Sequence, residues 1–184
     1  MRVISGSARG KMLESVPGMD TRPTTDRVKE SIFNILQFHV IRANMLDLFA
    51  GTGQMGIEAL SRGASKAVFV DASRKAISVI TKNIAAARVQ DRAQVIQADF
   101  IQALQRLQGQ KFDVIFLDPP YGGKLLNSAL KSVESFDILS TDGIILCESS
   151  VEDTVICPES FVVTKTYKYG TIFLTAIRRK EENN

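Results

Sequence analysis

The sequence predicts an open α/β fold: a mostly parallel sheet with helices on its faces. Three observations lead there. Short apolar runs at residues 44–50, 67–70, 93–97 and 112–117 alternate with segments whose apolar residues recur at helical spacing, the pattern of successive βαβ units with right-handed crossovers. The first run turns directly into AGTG. The other three are followed by aspartates, Asp71, Asp99 and Asp118. Ligands in open α/β sheets bind outside the carboxyl ends of the strands, so these aspartates mark a candidate site.

Size and composition narrow the class. A chain of 184 residues can form one domain that buries roughly 70% of its extended surface. No apolar stretch approaches the ~18 residues of a membrane span, and residues 1–10 have no apolar block followed by a cleavage site, so the expectation is a cytoplasmic protein. Cys147 and Cys157 lack CxxC spacing and point to free thiols in a reducing compartment. His39 is the only histidine and ends an apolar-periodic segment, so no metal is expected. The formal charge of +3 is gathered in residues 1–29, where Arg2, Arg9, Lys11, Arg22, Arg27 and Lys29 face Glu14, Asp20 and Asp26. Such an excess fits contact with a phosphate backbone as well as a simply solvated surface.

The elements follow in order. Residues 2–6 and 11–15 pair as a hairpin around a flexible, basic SARG turn. Residues 18–23 form a loop, and Thr24 or Thr25 caps a helix running to Leu36, with Val28, Ile32, Ile35 and Leu36 as its apolar stripe and Asp26 in its first turn. After the strand at 44–50, a crossover helix spans 55–62 and Gly63 stops it. Strand 67–70 ends at Asp71, and Ser73 caps a helix carrying Ile77, Ile80, Ile84 and Ala87. Strand 93–97 and helix 101–107 lead through Gly109 into strand 112–117, whose near-continuous apolar run suits burial on both faces. A helix at 125–136, a turn at Asp142-Gly143 and a strand at 144–148 follow. Only Gly170 separates residues 161–169 from 171–177, which leaves no room for a crossover helix, so this hairpin puts an antiparallel strand into the sheet. Residues 178–184 read as a frayed polar tail.

The chemistry is concentrated in two loops. Asp47 to Gly53, with Gly56 beyond, gives G-x-G-x-x-G between a strand and a helix, and Asp71 lies twenty residues past Gly51. A carboxylate there accepts two hydrogen bonds from a ribose diol, as NAD and S-adenosylmethionine both require. Asp99 can accept from an adenine amine, and Asp47 reads either as an organiser of the loop or as a group near the methionine portion of the cofactor. The second loop is Asp118-Pro119-Pro120-Tyr121. Its two prolines stiffen a turn that sets the Asp118 carboxylate and the Pro119 carbonyl beside an aromatic ring. Adjacent acceptors next to a stacking ring suit a planar amine such as a nucleobase, and they favour methyl transfer over hydride transfer, which wants a proton donor or acceptor by a carbonyl. Acceptance of the two amine N–H groups localises the nitrogen lone pair. Stacking on Tyr121 contributes roughly 1–3 kcal/mol. A base in folded nucleic acid reaches such a pocket from a loop or by flipping out of a stack.

ISGSARG at 4–10, RPTTDRVKESIFNIL at 22–36, DLFAGTGQMGIEALSRGA at 47–64, LDPPYGG at 117–123 and YKYG at 167–170 together resemble the RsmD-type methyltransferases, which modify the exocyclic amine of a guanine in bacterial small-subunit ribosomal RNA. The resemblance implies a Rossmann-like S-adenosylmethionine-dependent methyltransferase with a seven-stranded, mostly parallel sheet containing one antiparallel strand. It divides the chain into a basic N-terminal hairpin extension, 1–21, and a methyltransferase domain, 22–184. It implies a cofactor set of Asp47, Phe49, Gly51, Gly53, Asp71, Ala72, Asp99 and Phe100, and a catalytic set of Asp118, Pro119, Pro120 and Tyr121. Members often carry glutamate where this chain has Asp71. Arg9, Lys11, Arg22, Thr24, Asp26, Arg27 and Lys29 correspond to the side nearest RNA. The implied partner is 16S ribosomal RNA in an assembled or assembling 30S subunit, approached by a monomer. Three other readings remain: an adenine-N6 DNA methyltransferase, since DPPY is shared with that class, a non-catalytic RNA-binding assembly module, and, third, a nicotinamide oxidoreductase, which cofactor binding would decide.

Overall fold

The computed structural model describes residues 1–18, 26–120 and 124–181. Along the chain lie α1 (Asp26–Ile35), β1 (Asn44–Asp47), α2 (Gln54–Ser61), β2 (Lys66–Asp71), α3 (Arg74–Ala87), β3 (Ala93–Gln97), α4 (Phe100–Arg106), β4 (Phe112–Leu117), α5 (Lys124–Ser135), β5 (Leu139–Ser150), β6 (Phe161–Tyr169) and β7 (Ile172–Arg179). The strands form one sheet in the order β3-β2-β1-β4-β5-β7-β6. All pairings are parallel except those of β7, which is antiparallel to both β5 and β6. The order reverses direction between β1 and β4, the kind of switch point at whose carboxyl ends open α/β sheets bind ligands.

Residue alternation along the strands builds two cores. Met45, Phe69, Val114, Phe116, Ile144 and Leu146 pack with Ile32 and Phe33 of α1, Ile57 of α2 and Ile80 of α3 on one face. Leu46, Val68, Ile115, Leu117 and Ile145 pack with Leu104 of α4 and Leu130 of α5 on the other. Burial on both faces is why these strands read as unbroken apolar runs. Among the described residues no helix is long and apolar enough to cross a membrane. Cys147 and Cys157 are free thiols, and His39 lies partly buried against Arg178.

Four expectations are corrected. β1 ends at Asp47, not at residue 50, because the chain bends into its loop while the Leu48 amide donates to the Phe116 carbonyl and the Ala50 amide to the Val70 carbonyl. The Asp142-Gly143 turn is absorbed into β5 as a bulge: the register with β4 jumps from Phe112↔Leu139 to Val114↔Ile144. The frayed tail begins later than residue 178, since Arg178 and Arg179 pair with Val162 and Phe161, and the Arg179 guanidinium is held by the Leu139 carbonyl and by Asp137. The SARG turn is fixed, not flexible. The Ser7 amide donates to the Ser61 carbonyl at 2.8 Å, and the Ala8 amide to Ser61 Oγ at 2.9 Å.

Gly6 makes that docking possible. Its φ is +82°, and a Cβ there would lie 1.8 Å from the Ser61 carbonyl oxygen. The hairpin itself is narrow. One antiparallel bridge, Arg2↔Met12, is flanked by hydrogen bonds joining Val3 to Lys11 and Leu13 to Met1. Val3, Ala8 and Leu13 bury their side chains in the same cluster as Leu36 and Leu60. The expected helix caps, Thr24 and Thr25, lie outside the described residues.

Candidate active site

The glycine loop is shaped by three distinct constraints. Gly51 and Gly53 have φ of +54° and +76°, a region other residues enter only with strain. Gly53 is the N-cap of α2, where it offers the first-turn amides no side-chain acceptor. Gly56 serves packing instead: a Cβ there would meet the Phe69 ring at 2.3 Å. At the base of the loop Asp47 is 1% exposed and its Oδ2 accepts the Gly56 amide at 3.2 Å. Burial pushes its carboxyl up to about 7, Asp71 adds to the rise, and the Gly56 bond opposes it.

A buried amide fastens this loop from outside. Asn83 of α3 donates to the Thr52 carbonyl at 2.9 Å and to the Glu14 carbonyl at 3.0 Å, and accepts from the Glu14 amide at 2.7 Å. Thr52 Oγ1 also lies 3.3 Å from Met1 Sδ. Sequence reasoning missed Asn83. It falls beside Ile80 and Ile84 on the buried stripe of α3, and a polar residue there was the available signal.

The adjoining strand ends carry further acceptors and rings. Asp71 Oδ2 accepts the Gly51 amide at 2.9 Å and Oδ1 accepts the Ser73 amide at 2.8 Å, so the carboxylate is fixed while each oxygen keeps a lone pair for an outside donor. Ala72 follows, exposed. The Ala98 amide donates to the Asp71 carbonyl at 3.2 Å, which ties the end of β3 to that of β2. Asp99 caps α4 by accepting the Gln102 amide at 3.0 Å, and the Phe100 ring lies 5.8 Å from the Phe49 ring at 46°. Phe49, Asp71, Ala72, Asp99 and Phe100 thus gather along the ends of β1, β2 and β3.

On the other side of the switch point stands Asp118. The register Leu117↔Cys147 makes Asp118 and Glu148 the next residues on two neighbouring strands. Both follow the face that carries Phe116, Leu146 and Met45, which is also the face of Asp47. Burial, then Glu148, then Asp47 hold the Asp118 carboxyl well above the usual carboxylate range, and burial raises Glu148. Glu148 Oε2 is buried and has no hydrogen-bond partner among the described residues. Sequence reasoning did not select Glu148, although it ends an apolar run just as Asp71 and Asp118 do. Pro119 is partly buried and Pro120 exposed; Tyr121 lies outside the described residues.

The residues expected near RNA separate. Arg9, Lys11 and Arg27 are exposed, and Asp26 pairs with Arg2 at 3.0 Å. Arg22 and Thr24 lie outside the described residues. Lys29 is a correction, because its side chain is 1% exposed and its ammonium lies between the Arg2 carbonyl and Glu58, 3.8 Å away. Desolvation draws the lysine below its ordinary range, with Glu58 opposing. Glu58 is fully buried and also accepts the Ile4 amide at 2.7 Å, the Ser5 amide at 2.9 Å and Arg62 Nε at 2.8 Å. The ISGSARG, RVKES and EALSRG stretches therefore meet around one carboxylate.

A family model described as Conserved hypothetical protein 95 matches residues 1–178. The chain belongs to that family. Within it, Bacillus subtilis YlbH is 43% identical over 175 residues, covering 92% of this chain and 94% of its own. The Haemophilus influenzae protein named Ribosomal RNA small subunit methyltransferase D is 33% identical over 174 residues, covering 94% and 90%. The solved Escherichia coli yhhF structure superposes with a TM-score of 0.86 at 34% identity over 99% of both chains. The seven-stranded sheet of this RsmD family member is the Rossmann-like methyltransferase fold that its motifs imply.

Proposed function

We propose that this protein transfers a methyl group from S-adenosylmethionine to the exocyclic N2 amine of a guanine in bacterial 16S ribosomal RNA, acting in the cytoplasm as a monomer on an assembled or assembling small subunit. The observation that carries this reading is Asp118 just past the end of β4, across the switch point from the glycine loop that follows β1. A relative named as a small-subunit ribosomal RNA methyltransferase supports the substrate class.

In this reading Gly51 and Gly53 admit the cofactor close to the backbone, Asp71 takes its ribose hydroxyls, and Asp99 takes its adenine amine beside Ala72, Phe49 and Phe100. Asp47 faces the ammonium of its methionine portion. S-Adenosylmethionine supplies an electrophilic methyl. Asp118 and the Pro119 carbonyl accept the two N–H groups of the guanine amine and aim its lone pair, Pro120 stiffens the turn, and Tyr121 stacks on the base. A cofactor held there would give up its methyl to the amine nitrogen, its sulfur keeping the S–C electron pair, and the amine proton would leave to Asp118 or water. Orientation and charge placement account for most of the rate. Arg9, Lys11, Arg22 and Arg27 contact RNA phosphates, with Thr24 and Asp26 on the same side, and residues 1–21 act as an RNA-contacting extension of the methyltransferase domain, 22–184.

Incubation with tritiated S-adenosylmethionine and either naked ribosomal RNA or unmethylated small subunits, followed by nucleoside analysis, tests the proposal. N2-methylguanosine is the expected product. Label recovered in adenine, or no transfer to either substrate by protein that binds the cofactor, would overturn it.

A further inference from the structure

The carboxylate beside Asp118 has a chemical consequence for which base is accepted. The buried acids Asp47 and Glu58 each hold protein donors, the former one amide and the latter two amides, a guanidinium and an ammonium. Glu148 differs, since among the described residues its buried Oε2 has no donor. Its position is set by the sheet. It is level with Asp118 on the neighbouring strand, about 4.8 Å away in the pairing direction, on the same face. Desolvating an acceptor without a partner is unfavourable, so a donor that arrives there with the substrate is bound with that penalty already met by the fold.

Guanine carries a matching pair of donors. Its amine at C2 is flanked by N1–H, so two neighbouring N–H groups point the same way along its Watson–Crick edge. Adenine offers an amine beside a bare N1 lone pair. We infer that Glu148 is a specificity-determining residue, accepting guanine N1–H while Asp118 accepts from the N2 amine. This rests on the guanine-N2 reading above and deepens it. Asp118 also faces the positive charge that builds on N2 as the amine attacks. An adenine turned into the same place would set the N1 lone pair against the Glu148 carboxylate, which rejects it by repulsion as well as by a missing bond.

The probe is 2-aminopurine, which has the same amine at C2 but presents a lone pair at N1 in place of N–H. It is built into the RNA or particle that serves as substrate, at the position where the labelling experiment finds the methyl group. Wild-type protein is expected to prefer guanine over 2-aminopurine in kcat/KM by about 10- to 100-fold, the range of a hydrogen bond to a charged group. Glu148→Gln can donate to a bare N1, so it should lose rate on guanine, gain on 2-aminopurine and narrow the ratio at least about tenfold. A residue that merely held the fold would lower both rates together and leave the ratio unchanged.

Equal rates of wild-type protein on the two bases would overturn the inference with no variant needed. So would an unchanged ratio in Glu148→Gln protein of native thermal stability. In either case N2-methylguanosine from the natural substrate leaves the broader proposal standing, whereas methyl transfer to adenine would remove both.

Discussion

Replacing Asp47 by asparagine should make the protein less stable in acid and more stable at mildly alkaline pH. Asp47 is 1% exposed, and its carboxyl is pushed from 3.8 up to about 7, chiefly by burial. Below about pH 4 the folded and unfolded chains both hold the proton. Between about 4 and 7 the unfolded chain has released it and the folded chain has not, so stability falls as pH rises. The interval from 3.8 to about 7, at 1.36 kcal/mol per pH unit, bounds the loss at about 4 kcal/mol. Asparagine keeps an acceptor for the Gly56 amide but buries an unpaired N–H2 at a cost of about 1–2 kcal/mol. Urea unfolding of both proteins across this range should therefore show Asp47→Asn weaker by about 1–2 kcal/mol near pH 4 and stronger by about 2–3 kcal/mol at pH 8. In the same protein, calorimetry should find S-adenosylmethionine bound about tenfold more weakly, as expected if the ammonium loses a charged partner. A stability difference independent of pH, or a weaker variant at pH 8, would show that the carboxylate is not held against desolvation.

Other substitutions separate packing from chemistry. Gly56→Ala drives a methyl into the Phe69 ring and should cost about 1–3 kcal/mol in urea unfolding while raising KM for the cofactor more than it lowers kcat. Glu58→Ala strands the buried Lys29 and two amides and frees the partly exposed Arg62, and should cost about 3–5 kcal/mol; a loss below about 1 kcal/mol would mean the cluster relaxes into solvent. Asn83→Ala releases the Thr52 carbonyl from Glu14, so cofactor KM should rise several-fold with kcat nearly unchanged, and a fall in kcat alone would refute its positioning role.

The parallel part of the fold was legible because burial on both faces leaves an apolar run ending in a polar residue, and Asp71 and Asp118 stand at such ends. The glycine loop was legible because its turn demands residues without a side chain. Glu148 obeyed the strand-end rule but drew no notice, since only the register with β4 brings it beside Asp118. Lys29 was misread as a surface cation, though it falls four residues before Phe33 and seven before Leu36, on the face that α1 turns inward. Glu58 was hidden in the same way, a charge between Ile57 and Ala59; Arg62 stands one turn along the same helix, but Ile4, Ser5 and Lys29 come from segments that no local pattern connects to it. Periodicity reports which face is buried, but not which buried charge finds its counterpart tens of residues away.

The two ends of α2 are occupied by different tasks, the glycine loop at one and the Ser5 to Ala8 turn at the other, only about 12 Å apart. A helix so short has no slack between its termini. Whatever steadies the loop must slow solvent exchange at the amides of Ile4, Ser5, Ser7 and Ala8, and by reciprocity any contact that steadies that turn must tighten the grip on whatever fills the loop.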